Sequence, residues 1–321
     1  MAQEHATDDA APPPSDTPPS DRAAISPPAT EGGATWAVAN SADMPPSNVG
    51  PEGEATMRQA RFQLASGDRN VGTVYLPEGR QGRGPALVVC FGSASDQKPN
   101  PFTAELCARG PEAGLAVVTF DVYGWGETGG NPDGWTYGRW AANLADVCRW
   151  VATQAWADGR RVGAIGTSAG STAVLRCAID TTLLAFGVSV ATFLGHFTVM
   201  PDGPAKQLVA HLDTLVAGGT IETKGRGSSV WQRGLDFFKG SVGGAPIYRL
   251  HTITCPIFFL QGGADNPYRR SDARLGYELR RSHGLPAAYQ EIAAGDHVLG
   301  NVPREAADAV LAWLREIAFL R

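Results

Sequence analysis

A chain of 321 residues, 43% hydrophobic and 18% charged, is long enough for one or two folded domains and too apolar to be disordered throughout. No apolar run approaches the roughly 18 residues of a membrane span, which argues against an integral membrane protein. The net charge of −5 is uneven, with nine acids against the single base Arg22 in residues 1–55, and no part of the chain carries a Lys/Arg run suited to nucleic acid.

Residues 1–55 read as a disordered, acidic, Pro/Ala-rich tail. Ten of the 23 prolines fall within residues 1–51, and Trp36 is the one large apolar group there. The folded body is expected over 56–321. It opens with a strand pair, Arg58 to Leu64 and Val71 to Leu76, around the turn signal Ser66-Gly67-Asp68. Four short apolar runs follow, suited to strands buried on both faces: 86–91, 116–120, 162–165 and 186–190. Between them, Trp140, Leu144, Val147 and Val151 share one face of a helix over 139–153. Two later strands are expected at 256–260 and 288–292. A last helix opens after Asn301 with Pro303 in its first turn. Strand alternating with helix implies an α/β fold with a mostly parallel sheet. About 60 residues between the strand near Thr192 and that at Pro256 break the alternation, and they read as a small helical cap inserted after the sixth strand, about 194–250.

The sharpest chemical signal is Gly166-Thr167-Ser168-Ala169-Gly170, directly after one strand and before a helical run. Gly-x-Ser-x-Gly in that setting is a nucleophile elbow: a tight turn lifts the serine hydroxyl off the sheet edge, and the following helix N-terminus favours negative charge. A serine needs a base. Of six histidines, His297 in Gly295-Asp296-His297 lies on a loop after a late strand, where it can reach the same edge. Asp265, after the strand at 257–260, is the acid that orients the imidazole; Asp202 is its rival, and Asp296 is too close to His297 in sequence. The oxyanion hole calls for two backbone N–H groups, assigned to Ala169 and Ser93, with Ala94 as the fallback. Asp121 reads as a structural acid and Glu127 as a solvated loop residue. The aromatic residues Phe193, Phe197, Trp231, Phe237 and Phe238, with Trp125 and Trp135, are candidates for contacting an apolar or aromatic part of a substrate. There is no His-rich cluster or P-loop, so neither metal nor organic cofactor is expected. The five scattered cysteines suit neither a disulfide framework nor a zinc site.

Five segments occur together in order: Phe91-Gly92-Ser93, Phe120 to Gly130, the elbow, Gly262-Gly263-Ala264-Asp265, and Gly295-Asp296-His297. On these the chain resembles the α/β-hydrolase superfamily over about 57–321, in the branch of dienelactone-hydrolase-like and X-prolyl-peptidase-like esterases. Two positions depart from that pattern: Phe91 stands where a histidine is usual, and the nucleophile is serine rather than the cysteine of dienelactone hydrolases. The resemblance implies a serine hydrolase acting on a small-molecule carboxylic ester, as a monomer or homo-oligomer. A peptidase or thioesterase with the same triad, or a non-catalytic binding protein on this fold, is the alternative. With no signal segment in the sequence, the cytoplasm is the default location, and export after signal removal is the alternative.

Overall fold

The computed structural model describes residues 58–64, 67–79, 81–93, 99–195, 203–224 and 230–320. The expected tail, Ala94, His196, Phe197 and Asp202 lie outside them. Ten strands are described: β1 Arg58–Gln63, β2 Val71–Leu76, β3 Gly84–Cys90, β4 Ala116–Phe120, β5 Ala157–Thr167, β6 Gly187–Val190, β7 Ile221–Lys224, β8 Val230–Arg233, β9 Ile257–Gly262 and β10 Ala287–Ile292. The described helices are α1 Pro101–Glu112, α2 Tyr137–Thr153, α3 Ala169–Asp180, α4 Pro204–Ala210, α5 Leu212–Val216, α6 Leu235–Val242, α7 Pro267–Ser282 and α8 Pro303–Glu316.

Eight strands form one sheet in the order β1-β2-β4-β3-β5-β6-β9-β10. From β4 to β10 every pairing is parallel, while β2 runs antiparallel to both β1 and β4. The apolar runs explain the layering. In β3, Ala86, Val88 and Cys90 face one core with Trp140 of α2 and Val174 of α3, whereas Leu87 and Val89 face a second core with Phe102 of α1 and Val310 of α8. Side chains alternate along a strand, so a continuously apolar strand demands helices on both faces. Parallel strands in one sheet also place their carboxyl ends at one edge, where loops from separate parts of the chain converge.

The expected elements appear with shifted ends. β5 runs 11 residues rather than four. The cap is not purely helical: β7 and β8 pair as an antiparallel ribbon, with Ile221 opposite Arg233. The β-branched Ile221, Thr223 and Val230 favour extended backbone there.

Candidate active site

Ser168 stands between the last residue of β5 and the first of α3. Its φ of 54° is in the left-handed region, a strained place for a residue with a side chain. The turn is held on both sides: the Ser168 N–H donates to the Val190 carbonyl at 2.9 Å, and its own carbonyl accepts from the Ser171 N–H at 3.0 Å and the Ser171 hydroxyl at 2.6 Å. Close packing explains the flanking glycines. A Cβ on Gly166 would lie 2.1 Å from the Gly170 carbonyl oxygen, and one on Gly170 would lie 2.1 Å from that of Cys90.

His297 and Asp265 meet Ser168 at this edge. His297 Nδ1 lies 2.9 Å from Asp265 Oδ1 and 3.0 Å from Oδ2, and its Nε2 lies 3.0 Å from Ser168 Oγ. An ionised carboxylate only accepts, so it fixes the proton on Nδ1; Nε2 is then an acceptor, and the Ser168 hydroxyl donates to it. Burial of the Asp265 side chain works against its charge. The hydrogen bond and charge of His297, with the Asn266 N–H at 2.7 Å and the Gln261 amide at 2.9 Å, outweigh burial and hold the carboxyl below its ordinary value. Asp296 is turned to its own loop, where Oδ1 accepts the N–H groups of Val298 and Gly300.

Ala169 is the first residue of α3, so its N–H is one of the four that no carbonyl of that helix accepts. The Phe91-Gly92-Ser93 turn lies against the serine: a Cβ on Gly92 would come 2.9 Å from Ser168 Cβ. Asp121 accepts the Glu127 N–H at 2.6 Å, and Glu127 pairs with Arg61. Burial is the main reason that the Asp121 carboxyl rises to about 6.

The aromatic candidates form a connected group. Trp125 meets Trp135 and Trp140 edge-on at 6.0 and 5.1 Å, and Phe237 meets Trp135 at 5.5 Å. Phe193 follows β6 and stacks on Tyr137 at 5.9 Å. Trp231 is half-buried on β8, and Phe238 is fully buried behind Phe237. Sequence reasoning missed Gln261 and Asn266 as supports of Asp265, although both flank it in the Gln261 to Pro267 stretch. It also missed Arg269, whose Nη1 donates to the Ala191 carbonyl at 3.1 Å.

A sequence model of the X-Pro dipeptidyl-peptidase (S15) family matches residues 66–192, less than half of the chain. The uncharacterized protein Rv2307c of Mycobacterium tuberculosis is 32% identical over 110 residues, 34% of this chain and 37% of that protein. The matched region thus spans little more than a third of that relative. Among solved structures, Est1E from Butyrivibrio proteoclasticus, recorded with ferulic acid bound, has a TM-score of 0.61 at 14% identity, covering 78% of this chain and 96% of that one. The Pyrococcus furiosus esterase Pf2001 gives 0.57 at 16%, covering 85% and 99%. The acylaminoacyl peptidase of Pyrococcus horikoshii gives 0.56 at 13%, covering 81% and 41%. With the sheet order, these likenesses show that the chain has the α/β-hydrolase fold, and the family model likens residues 66–192 to the X-Pro dipeptidyl-peptidase (S15) family.

Proposed function

We propose that this protein is a serine hydrolase that cleaves a carboxylic ester through an acyl-enzyme intermediate. The observation that carries the reading is the unbroken hydrogen-bond line from Ser168 Oγ through His297 to Asp265. As Ser168 Oγ attacks the ester carbonyl carbon, His297 Nε2 takes the hydroxyl proton, and Asp265 stabilises the imidazolium. The N–H groups of Ala169 and Ser93 receive the charge that develops on the carbonyl oxygen. Collapse breaks the bond to the alcohol oxygen, which leaves with the proton from Nε2. Water, deprotonated by the same nitrogen, then attacks the acyl carbon; the bond to Ser168 Oγ breaks, Oγ recovers the proton from Nε2 and the acid is released. The strained turn keeps Oγ clear of the sheet before substrate arrives, so orientation is settled in advance.

Peptide cleavage is the second reading, favoured by the S15 match over residues 66–192. Fluorophosphonate labelling and matched substrates test both. Wild type is expected to take up the probe and Ser168→Ala to take up none. An ester is expected to exceed the corresponding anilide in kcat/KM by more than their intrinsic reactivities account for. Preference for the anilide would favour a peptidase, and no labelling of either protein would favour a binding role.

A further inference from the structure

Among the described residues, five other than glycine have φ in the left-handed region, and three of them stand beside the candidate triad. They are Ser168 itself at 54°, Ala191 at 52°, and Leu299, two residues beyond His297, at 60°. Such backbone is strained in a residue that carries a Cβ, and it persists only where its surroundings hold it. Ser168 is held by Val190 and Ser171, and the Leu299 N–H donates to the Asp296 carbonyl at 3.3 Å. Ala191 is held instead by a side chain that lies 78 positions further along the chain.

Ala191 directly follows β6 and is fully buried. The peptide bond joining it to Val190 carries the carbonyl that accepts the Ser168 N–H at 2.9 Å. Its own carbonyl, on the other side of its Cα, accepts from Arg269 Nη1 at 3.1 Å. Rotation about φ at Ala191 turns these two carbonyls relative to each other, so holding both opposes relaxation to negative φ. A hydrogen bond from a charged donor is worth more than one between neutral groups, which suits it to offset such strain.

The residues that follow are gripped by two helices. Thr172 of α3, the helix that begins after the nucleophile, donates its hydroxyl to the Phe193 carbonyl at 3.2 Å. From α7, the buried Asp272 accepts the Leu194 N–H at 2.9 Å, and the Arg269 guanidinium carbon lies 5.3 Å from the Phe193 ring centroid. Three residues apart on a helix, Arg269 and Asp272 share a face. The same helix is capped by Asn266, whose N–H holds Asp265 Oδ1. One element thus carries the support of the triad acid and the grip on the strand end from which the nucleophile turn hangs.

We propose that Arg269 is a positioning residue: by holding the Ala191 carbonyl it keeps Ala191 at positive φ, and so fixes the Val190 carbonyl that anchors the Ser168 turn. The proposal rests on the serine-hydrolase reading above, since Ser168 is the group positioned. Arg269→Gln is expected to lower kcat for a 4-nitrophenyl ester, and the rate constant of fluorophosphonate labelling, about 10- to 100-fold, with KM changed less than about threefold. Arg270→Gln, which removes the neighbouring cation paired with Glu291, is expected to stay within about threefold of wild type. An Arg269→Gln rate within about threefold of wild type, or an equal loss in Arg270→Gln, overturns the proposal.

The deciding variant is Ala191→Gly, because glycine takes positive φ without strain. The loss caused by Arg269→Gln is expected to be at least about fivefold smaller in the Ala191→Gly background. An arginine that merely stabilised the fold would cost the same in both backgrounds, and equal losses overturn the proposal. If Arg269→Gln alone fails to fold, adding Ala191→Gly is expected to restore a cooperative urea transition, and a double variant that stays unfolded overturns it. The same cycle read by urea midpoints involves no chemistry: Ala191→Gly is expected to shrink the shift that Arg269→Gln causes, and an undiminished shift overturns the proposal. If wild type takes up no fluorophosphonate, the hydrolase reading falls separately, while the midpoints still decide whether Arg269 holds Ala191.

Discussion

Ser168, His297 and Asp265 occupy three loops, and each is held by contacts other than those it makes with the other two. The serine is fixed by Val190 and Ser171, the acid by Gln261 and Asn266, and the histidine loop by Asp296. Removing one reacting group should therefore cost rate and little stability. Ser168→Ala and His297→Ala are expected to abolish turnover while shifting stability by no more than about 1 kcal/mol, measured by urea denaturation. Asp265→Asn is expected to lose roughly 10⁴ in kcat, by analogy with other triads, since an amide cannot hold the Nδ1–H tautomer. Asp121 has a different signature. Its folded-state pKa of about 6 lies above the ordinary value of 3.8, so folding takes up protons between those values and stability falls as pH rises through the window. Asp121→Asn lacks that penalty, and its Tm relative to wild type is expected to rise between pH 4.5 and 7.

At the scale of elements, β5, the turn and α3 act as one unit because their backbones touch. Gly170→Ala would press a Cβ onto the Cys90 and Phe91 carbonyls, at 2.1 and 2.6 Å. The expected result is a loss of about 1–3 kcal/mol with a drop in kcat, since the shift is transmitted to Ser168. Asn266 caps α7 by accepting the Tyr268 N–H at 2.9 Å; Asn266→Ala is expected to cost about 1 kcal/mol by thermal denaturation. Nothing in the hydrophobic pattern announces α7, although the Asn266-Pro267 start signal is present. Its buried residues are Asp272, Ala273, Gly276 and Arg280, so the helix packs through small and polar groups and offers no apolar stripe to read. The cap ribbon escaped for a related reason. Each of its strands is four residues long, and what fastens Arg233 to the body is a contact with carbonyls about a hundred positions away. The central strands of the main sheet were legible because burial on both faces leaves continuous apolar runs such as Leu87-Val88-Val89. The elbow was legible because close backbone packing admits glycine alone on either side of the serine segment.

Across the whole molecule, the sheet sets where the loops end and buried arginines tie the outer parts to it. Arg280 is fully buried and donates to the carbonyls of Leu250, Ile253, Cys255 and Pro286, joining the segment before β9 to α7 and to the approach of β10. Arg280→Met is expected to cost at least about 3 kcal/mol by chemical denaturation, because four carbonyl acceptors lose the two guanidinium nitrogens that serve them. The buried Arg233 ties in the cap ribbon in the same way, fastening it to the carbonyls of Pro132 and Asp133. The placement of Ser168, Asp265 and His297 at one edge follows from parallel strands, and it could be anticipated from motif order alone. Side-chain contacts that assemble across the fold, as around Arg233, could not. The central claim is that Ser168 carries the acyl group. Rapid mixing with a 4-nitrophenyl ester, acid quenching and mass spectrometry of the digested chain test it directly. One acyl group on the peptide containing Ser168 is the predicted result; turnover with no covalent adduct, or an adduct on another residue, would contradict it.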